Sequence, residues 1–299
     1  MNRHGTLMVC QMSAKFYSLL NIVCGRCATT FGTLRVKVIL LKQAVFNKTV
    51  LFLKFFKYHI SSSGKLIIKK DVSLLRGSIS VGKNSTLTIE GGTDIAGEIN
   101  IGENCTVLIN RKCHFNNTVL DVQDYSNVTI GEGVFITSDE RYPTSIRVHN
   151  GTLSIAEKVR IKSDILVRFG GKLSIGKYTG IERGGEVRCE DEIFIGDFGM
   201  ISYHVLIFDT NTHSTDWQER RKIIEEGYPI GASEKTRPKT KPIHIGDDVW
   251  IGDGATVMKG CFIGNRCIIG TRTILGNCSI ADDSTVVAAY PRIISHIAP

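Results

Sequence analysis

Between residues 245 and 275 an aliphatic side chain recurs at every sixth position: Ile245, Ile251, Val257, Ile263, Ile269 and Leu275. Gly follows each of them except Val257. Four places after each comes a mostly small residue: Val249, Ala255, Cys261, Cys267, Thr273 and Ser279. An amphipathic helix repeats at 3.6 residues and a half-buried strand at two, so neither produces a period of six. The pattern suits a triangular coil of three short flat faces. The aliphatic residue points inward, Gly relieves the bend, and the small residue fits the corner.

A looser repeat precedes this run. The segments STLTIE (85–90), CTVLIN (105–110), SNVTIG (126–131), GTLSIA (151–156), GKLSIG (171–176) and DEIFIG (191–196) centre on Leu87, Val107, Val128, Leu153, Leu173 and Ile193. Their spacing is mostly 20 or 21 residues, with one step of 25. Short strands at that period, bounded by Gly, Asn or Asp, indicate stacked coils of a solenoid, in which each coil buries its apolar side only against its neighbours.

Charge divides the chain unevenly. Nine of the 37 Lys and Arg, and none of the 29 Asp and Glu, lie in residues 1–58. The net charge of +8 therefore belongs to that segment, and the near-neutral remainder argues against a nucleic-acid-binding face. Residues 34–57, LRVKVILLKQAVFNKTVLFLKFFK, are apolar but interrupted by Lys37, Lys42, Lys48, Lys54 and Lys57. No uncharged run is long enough to span a bilayer. Two readings stay open: a basic helix on an anionic inner membrane surface, and a helix packed on the main domain or on a neighbouring subunit. The nine Cys are irregularly spaced. Cys24 and Cys27 form a lone CxxC with no second pair at zinc spacing, so no metal is expected and a reducing cytoplasm is the expected compartment.

The hexad run resembles the hexapeptide-repeat acyltransferases, and its likeness is to the members that O-acetylate sugars and polysaccharides. The resemblance implies an all-β fold, a left-handed parallel β-helix. It also implies a homotrimer with acyl-CoA held in a groove between two neighbouring helices. The expected organisation is a basic, apolar and helical segment at 1–63, irregular β-solenoid coils at 64–194, the hexapeptide-repeat acyltransferase region at 195–294, and a tail at 295–299.

Within that region the six-residue beat of Ile195, Ile201 and Ile207 reaches His213 and then stops until Ile245. Residues 214–242 are charged and lack the beat, so they are expected to leave the solenoid as a long loop. His213 stands at its mouth in the polar run DTNTH, where the resembled family carries its catalytic histidine. It is the candidate general base that takes a proton from a sugar hydroxyl as the oxygen attacks a thioester carbonyl. Asp209 or a backbone carbonyl is the candidate for holding its other ring nitrogen, and Asn211 for binding acceptor or forming a turn. His204, in SYHVL, reads as a strand residue serving core packing or acceptor contact.

The remaining expectations concern acetyl-CoA as donor. DDVWIGDGATVMKGCFIG (247–264) resembles the family segment whose Trp flanks the coenzyme, which makes Trp250 the first candidate contact and Lys259 another. IIGTRTILGN (268–277) resembles the segment where the pantetheine arm lies on exposed backbone, which points to Thr271 and Thr273, while for Arg272 two readings stay open, contact with a coenzyme phosphate and plain solvation. In VVAAYPRII (286–294) a shortened closing motif leaves Arg292 as the candidate for the coenzyme phosphates. The leading expectation is acetyl transfer to a sugar hydroxyl of a surface or capsular polysaccharide or its precursor, in the cytoplasm or at the inner membrane surface. N-acylation of an amino sugar and a non-catalytic β-helix scaffold are the alternatives.

Overall fold

The computed structural model describes residues 56–138, 144–227 and 237–289. Over these residues the chain winds through ten stacked coils, and every paired strand runs parallel to its neighbour one coil away. Ten short strands, from Lys65–Ile68 to Ser279–Ile280, form the first face of the prism. The second and third faces share one 17-stranded sheet that wraps a corner. Met200–Ile201, Trp250–Ile251 and Ile268–Ile269 lie on the second face, and Leu206–Phe208, Thr256–Met258 and Ile274–Leu275 on the third. The fold is a parallel β-helix, as the repeats predict.

The six-residue beat becomes the core column. Ile195, Ile201 and Ile207 stack beneath Ile245, Ile251 and Val257, and these beneath Ile263, Ile269 and Leu275. All nine are buried. Each aliphatic side chain withdrawn from water in this way is worth about 1.5–3 kcal/mol.

The residue two places after the last inward aliphatic of the first face, at Ile195, Ile245, Ile263 and Ile280, explains a further part of the motif. Asp197 Oδ1 accepts from Lys177 N, Asp247 Oδ1 from Asp197 N, Asn265 Oδ1 from Asp247 N, and Asp282 Oδ1 from Asn265 N, at 2.8–2.9 Å. Each acidic or amide side chain satisfies a turn amide of the coil before it. The Gly permits the close approach: a Cβ on Gly246 would lie 2.6 Å from Asn265 Oδ1 and 2.8 Å from the Gly264 carbonyl carbon.

The early coils are longer because two faces are joined without a turn. Ser73–Val81, Asp94–Ile101 and His114–Gln123 each run along both. They bend at Gly77 and Gly97, whose φ values of 128° and 147° belong to the region that disfavours side chains. The next coil separates the faces again: Phe135–Thr137 pairs with the first part of His114–Gln123, and Thr144–His149 with the second.

The solenoid begins before Gly64. Phe56–Ile60 is already a strand, paired with Gly77–Val81, so the end of the segment expected to be helical is β-structure. The expectations for residues 1–55, including most of 34–57, lie outside the described residues. Among the described residues no helix is long and apolar enough to cross a membrane.

The excursion differs from the expected loop by one element. Trp217–Gly227 is a helix, α1. Asp216 Oδ1 accepts from Gln218 N at 2.8 Å and Glu219 follows in the first turn, which together make an N-terminal cap. QERRKIIEE is rich in strong helix formers. None of its residues is buried, so no apolar face at helical spacing marks it.

Candidate functional site

The triangular coil has three corners, and the candidate residues fall mainly at two of them. One corner joins the second and third faces. There His204 lies in a turn, not in a strand core. Its φ is 58°, its side chain is 51% exposed, and Nδ1 is 3.0 Å from Asp253 Oδ1 on the next coil. This corrects the core-packing reading: Val205 and Leu206 are strand-like neighbours, but His204 takes the left-handed corner position that Gly254 and Arg272 take in the coils above.

Trp250 stands beside that corner on the outer side of the second face, half exposed, with Nε1 donating to Ser202 Oγ at 3.3 Å. Exposed Met200 and Ile268 flank it in register. Thr271 and Arg272 are exposed at the corner two coils above His204. Thr273 points inward instead: it is 3% exposed and its Oγ1 has no hydrogen-bond partner among the described residues. Arg292 lies outside the described residues.

The excursion leaves from the corner that joins the third face to the first. Its two arms are tied at the root. Lys241 N donates to Asp209 O, Asn211 N donates to Lys239 O, both at 3.0 Å, and Thr210 bridges Thr240 antiparallel. His213 is exposed just beyond this tie, and Asn211 is half-buried within it. Asp209 is fully buried, with Oδ1 accepting from Glu190 N and Oδ2 from Asp191 N, both at 2.8 Å. Burial raises its pKa to about 6, against the opposing effect of those two amides. Asp209 therefore anchors the base of the excursion to the preceding coil.

Sequence reasoning passed over the groups that complete this anchor. Glu190 is fully buried, with Oε1 accepting from Arg168 Nε at 2.6 Å and Oε2 from Thr210 Oγ1 at 2.7 Å. Asp191 accepts from Arg237 at 2.6 Å and from Thr240 Oγ1 at 2.9 Å. Thr210 Oγ1 also accepts from Thr212 N at 3.0 Å, one residue before His213. The one sequence signal was CEDE (189–192), three consecutive carboxylates lying a coil before FDTNT.

His213, Asp209, Asn211 and Lys259 thus gather at the excursion corner, and His204, Trp250, Thr271 and Arg272 at the next. Lys259, expected beside Trp250 at the coenzyme, is instead separated from it by the whole third face. Among the described residues no three His, Cys, Asp or Glu side chains come together as a metal-binding set.

Comparison with known proteins adds a family to the repeat. Residues 242–277 match the family described as Bacterial transferase hexapeptide (six repeats). No curated protein sequence matches. Among solved structures, the chain is similar to a hexapeptide-repeat containing acetyltransferase from Vibrio cholerae, with 24% identity, 48% of this chain and 72% of that chain covered, and a TM-score of 0.36. It is also similar to the polySia specific acetyltransferase NeuO, with 18% identity, coverage of 81% and 86%, and a TM-score of 0.42. The polysialic acid O-acetyltransferase OatWY gives 17% identity, coverage of 81% and 95%, and a TM-score of 0.32. Residues 242–277 are hexapeptide repeats of the bacterial transferase kind, set in the last coils of the β-helix.

Proposed function

We propose that the protein is an acyl-CoA-dependent acyltransferase that moves an acyl group, with acetyl as the expected one, to a saccharide hydroxyl. The observation that carries this reading is the exposed His213, held just beyond a fully hydrogen-bonded anchor at the root of α1's excursion, beside the hexapeptide repeats. A rigid root fixes where the imidazole is presented, which is what a general base requires.

In this mechanism the His213 imidazole takes the hydroxyl proton as the sugar oxygen attacks the thioester carbonyl. The tetrahedral oxyanion is met by a backbone N–H. The carbon–sulfur bond then breaks, and the imidazolium returns the proton to the departing thiolate, which leaves as free CoA. The acyl group never resides on the protein. The half-exposed Trp250, between Met200 and Ile268, offers an apolar strip for the acyl–pantetheine end. Thr271 and Arg272 lie close by at the adjoining corner. Since His213 and Trp250 lie on successive coils at different corners, the reading includes a site completed between copies in a homotrimer.

A second reading has its own support: the His204–Asp253 pair has the geometry of an oriented base, and it lies on the Trp250 side. Release of CoA thiol from acetyl-CoA, assayed with hydroxyl-bearing saccharides and with amino sugars, tests the reaction. Saccharide-dependent release that His213→Ala abolishes supports the leading reading. Loss only in His204→Ala favours the second. Acceptance of amino sugars alone favours N-acylation.

A further inference from the structure

The returning arm of the excursion, RPKTKP (237–242), carries a basic residue at every second position. Its burial alternates in step. Pro238 is buried and Thr240 half-buried, whereas Arg237, Lys239 and Lys241 are exposed. This is the alternation of an extended segment with one side on the protein. The opposite arm carries Asp209 and Thr210 inward and ends in exposed His213. The antiparallel tie at Thr210 and Thr240 therefore sets the basic side of one arm next to the histidine of the other.

Arg237 is neutralised by Asp191 at 2.6 Å. The lysines are placed differently. The Lys241 side chain passes over Gly260, where a Cβ would lie 2.9 Å from its Cδ, and its Nζ donates to Asn277 Oδ1 at 2.5 Å. Gly260, at φ 75°, leaves the space for that path. Lys259 sits one coil above on the same corner: Gly260 N donates to Lys241 O, and Lys259 O accepts from Asn277 N. Among the described residues no carboxylate forms an ion pair with Lys239, Lys241 or Lys259. The carboxylates that tie the root, Glu190, Asp191 and Asp209, are occupied by Arg168, Arg237, threonine hydroxyls and backbone amides.

We infer that Lys239, Lys241 and Lys259 form the docking surface for the acceptor, and that the acceptor is an acidic saccharide chain whose carboxylates run along this corner. The inference rests on His213 as the base of the proposed reaction, since that is what makes this corner the acceptor side. The donor is assigned elsewhere, because Trp250, Thr271 and Arg272 stand across the third face at the other corner. Three ammonium groups without a carboxylate partner raise the local concentration of a polyanion and leave a neutral sugar unaffected, an effect that salt screens.

The test is equilibrium binding to the full chain, by titration calorimetry, of oligogalacturonate and of a maltooligosaccharide of equal length, each at low and high salt. Coenzyme A is titrated in parallel. The proteins are wild type and Lys239→Gln/Lys241→Gln/Lys259→Gln, with thermal midpoints confirming that both are folded. Gly260→Ala serves as a second variant, reaching Lys241 without changing charge. The expected result is binding of oligogalacturonate but not of the neutral chain, weakened by salt, at least tenfold weaker in the triple variant and measurably weaker in Gly260→Ala, with coenzyme A affinity unchanged. Equal binding of both saccharides, unchanged oligogalacturonate affinity in the triple variant, or loss of coenzyme A affinity in its place overturns the inference. The binding arms need no turnover. Normal acidic-chain docking with no loss of transfer in His213→Ala would therefore sink the catalytic reading while leaving the docking surface intact.

Discussion

His204 Nδ1 lies 3.0 Å from Asp253 Oδ1 across two consecutive coils, with both side chains about half exposed. The pair places a second histidine with an oriented ring nitrogen at the corner beside Trp250, away from the excursion that carries His213. The two histidines are separable by kinetics. His213→Ala is expected to lower kcat by about 10²–10⁴-fold, the usual contribution of a positioned general base. Asp253→Asn and His204→Ala are expected to act mainly on KM. The reverse pattern in steady-state thiol release would move the base to His204.

The buried pair at the excursion root should dominate local stability. Glu190 has no exposed side-chain surface, and it is held by Arg168 and Thr210. Arg168→Met leaves that carboxylate buried without its cation, a loss of about 3–5 kcal/mol. Thermal or denaturant unfolding measures it. Pairing it with Glu190→Gln should recover part of the loss, because the buried charge is then gone.

Asp209 gives a pH signature. Its pKa in the folded chain is raised to about 6, mainly by burial, from the usual carboxylate value. Between the two values the folded chain binds more proton than the unfolded one, so this group's contribution to stability falls as pH rises from about 4 to about 6. Asp209→Asn does not titrate, and it loses one acceptor to the amides of Glu190 and Asp191. The variant should be less stable than wild type at pH 4, and the gap should narrow by pH 7. A gap constant across that range, in thermal midpoints taken at each pH, would contradict the assignment.

The bend of the early coils makes a backbone prediction. Gly97 has φ 147°, and a Cβ there would lie 2.2 Å from Thr118 O. Gly97→Ala should destabilise by more than the ~1 kcal/mol that the same change contributes favourably where the backbone conformation is compatible. Ile251→Ala, in the core column, should lose about 2–5 kcal/mol through lost burial and the cavity left behind. Both are read by denaturant titration.

Much of the fold was legible because it is written in one dimension. A coil places Ile245, Ile251 and Val257 on three inward faces whatever the rest of the chain does, and Gly246 followed by Asp247 marks the turn and its capping group. The bends at Gly77 and Gly97 were hidden, since a glycine inside a strand reads the same as one in a turn. Helix α1 was hidden because it buries nothing and so carries no apolar stripe. At the site, the exposed His213 could be read from the broken beat. The partners of Asp209 could not, because Glu190 and Asp191 come from the previous coil and meet it only through stacking. Asp253 was hidden from His204 by the length of the excursion, which breaks the coil count between them.

The central claim, an acyl-CoA site on this β-helix, is tested most directly by the thermal midpoint of the purified chain in acetyl-CoA, longer acyl-CoAs and CoA, beside Trp250→Ala and His213→Ala. A ligand that binds only the native state raises the midpoint with its concentration. The account predicts that acetyl-CoA stabilises wild type and His213→Ala alike and Trp250→Ala much less. No shift by any acyl-CoA at millimolar concentration would contradict it and bring the non-catalytic scaffold forward.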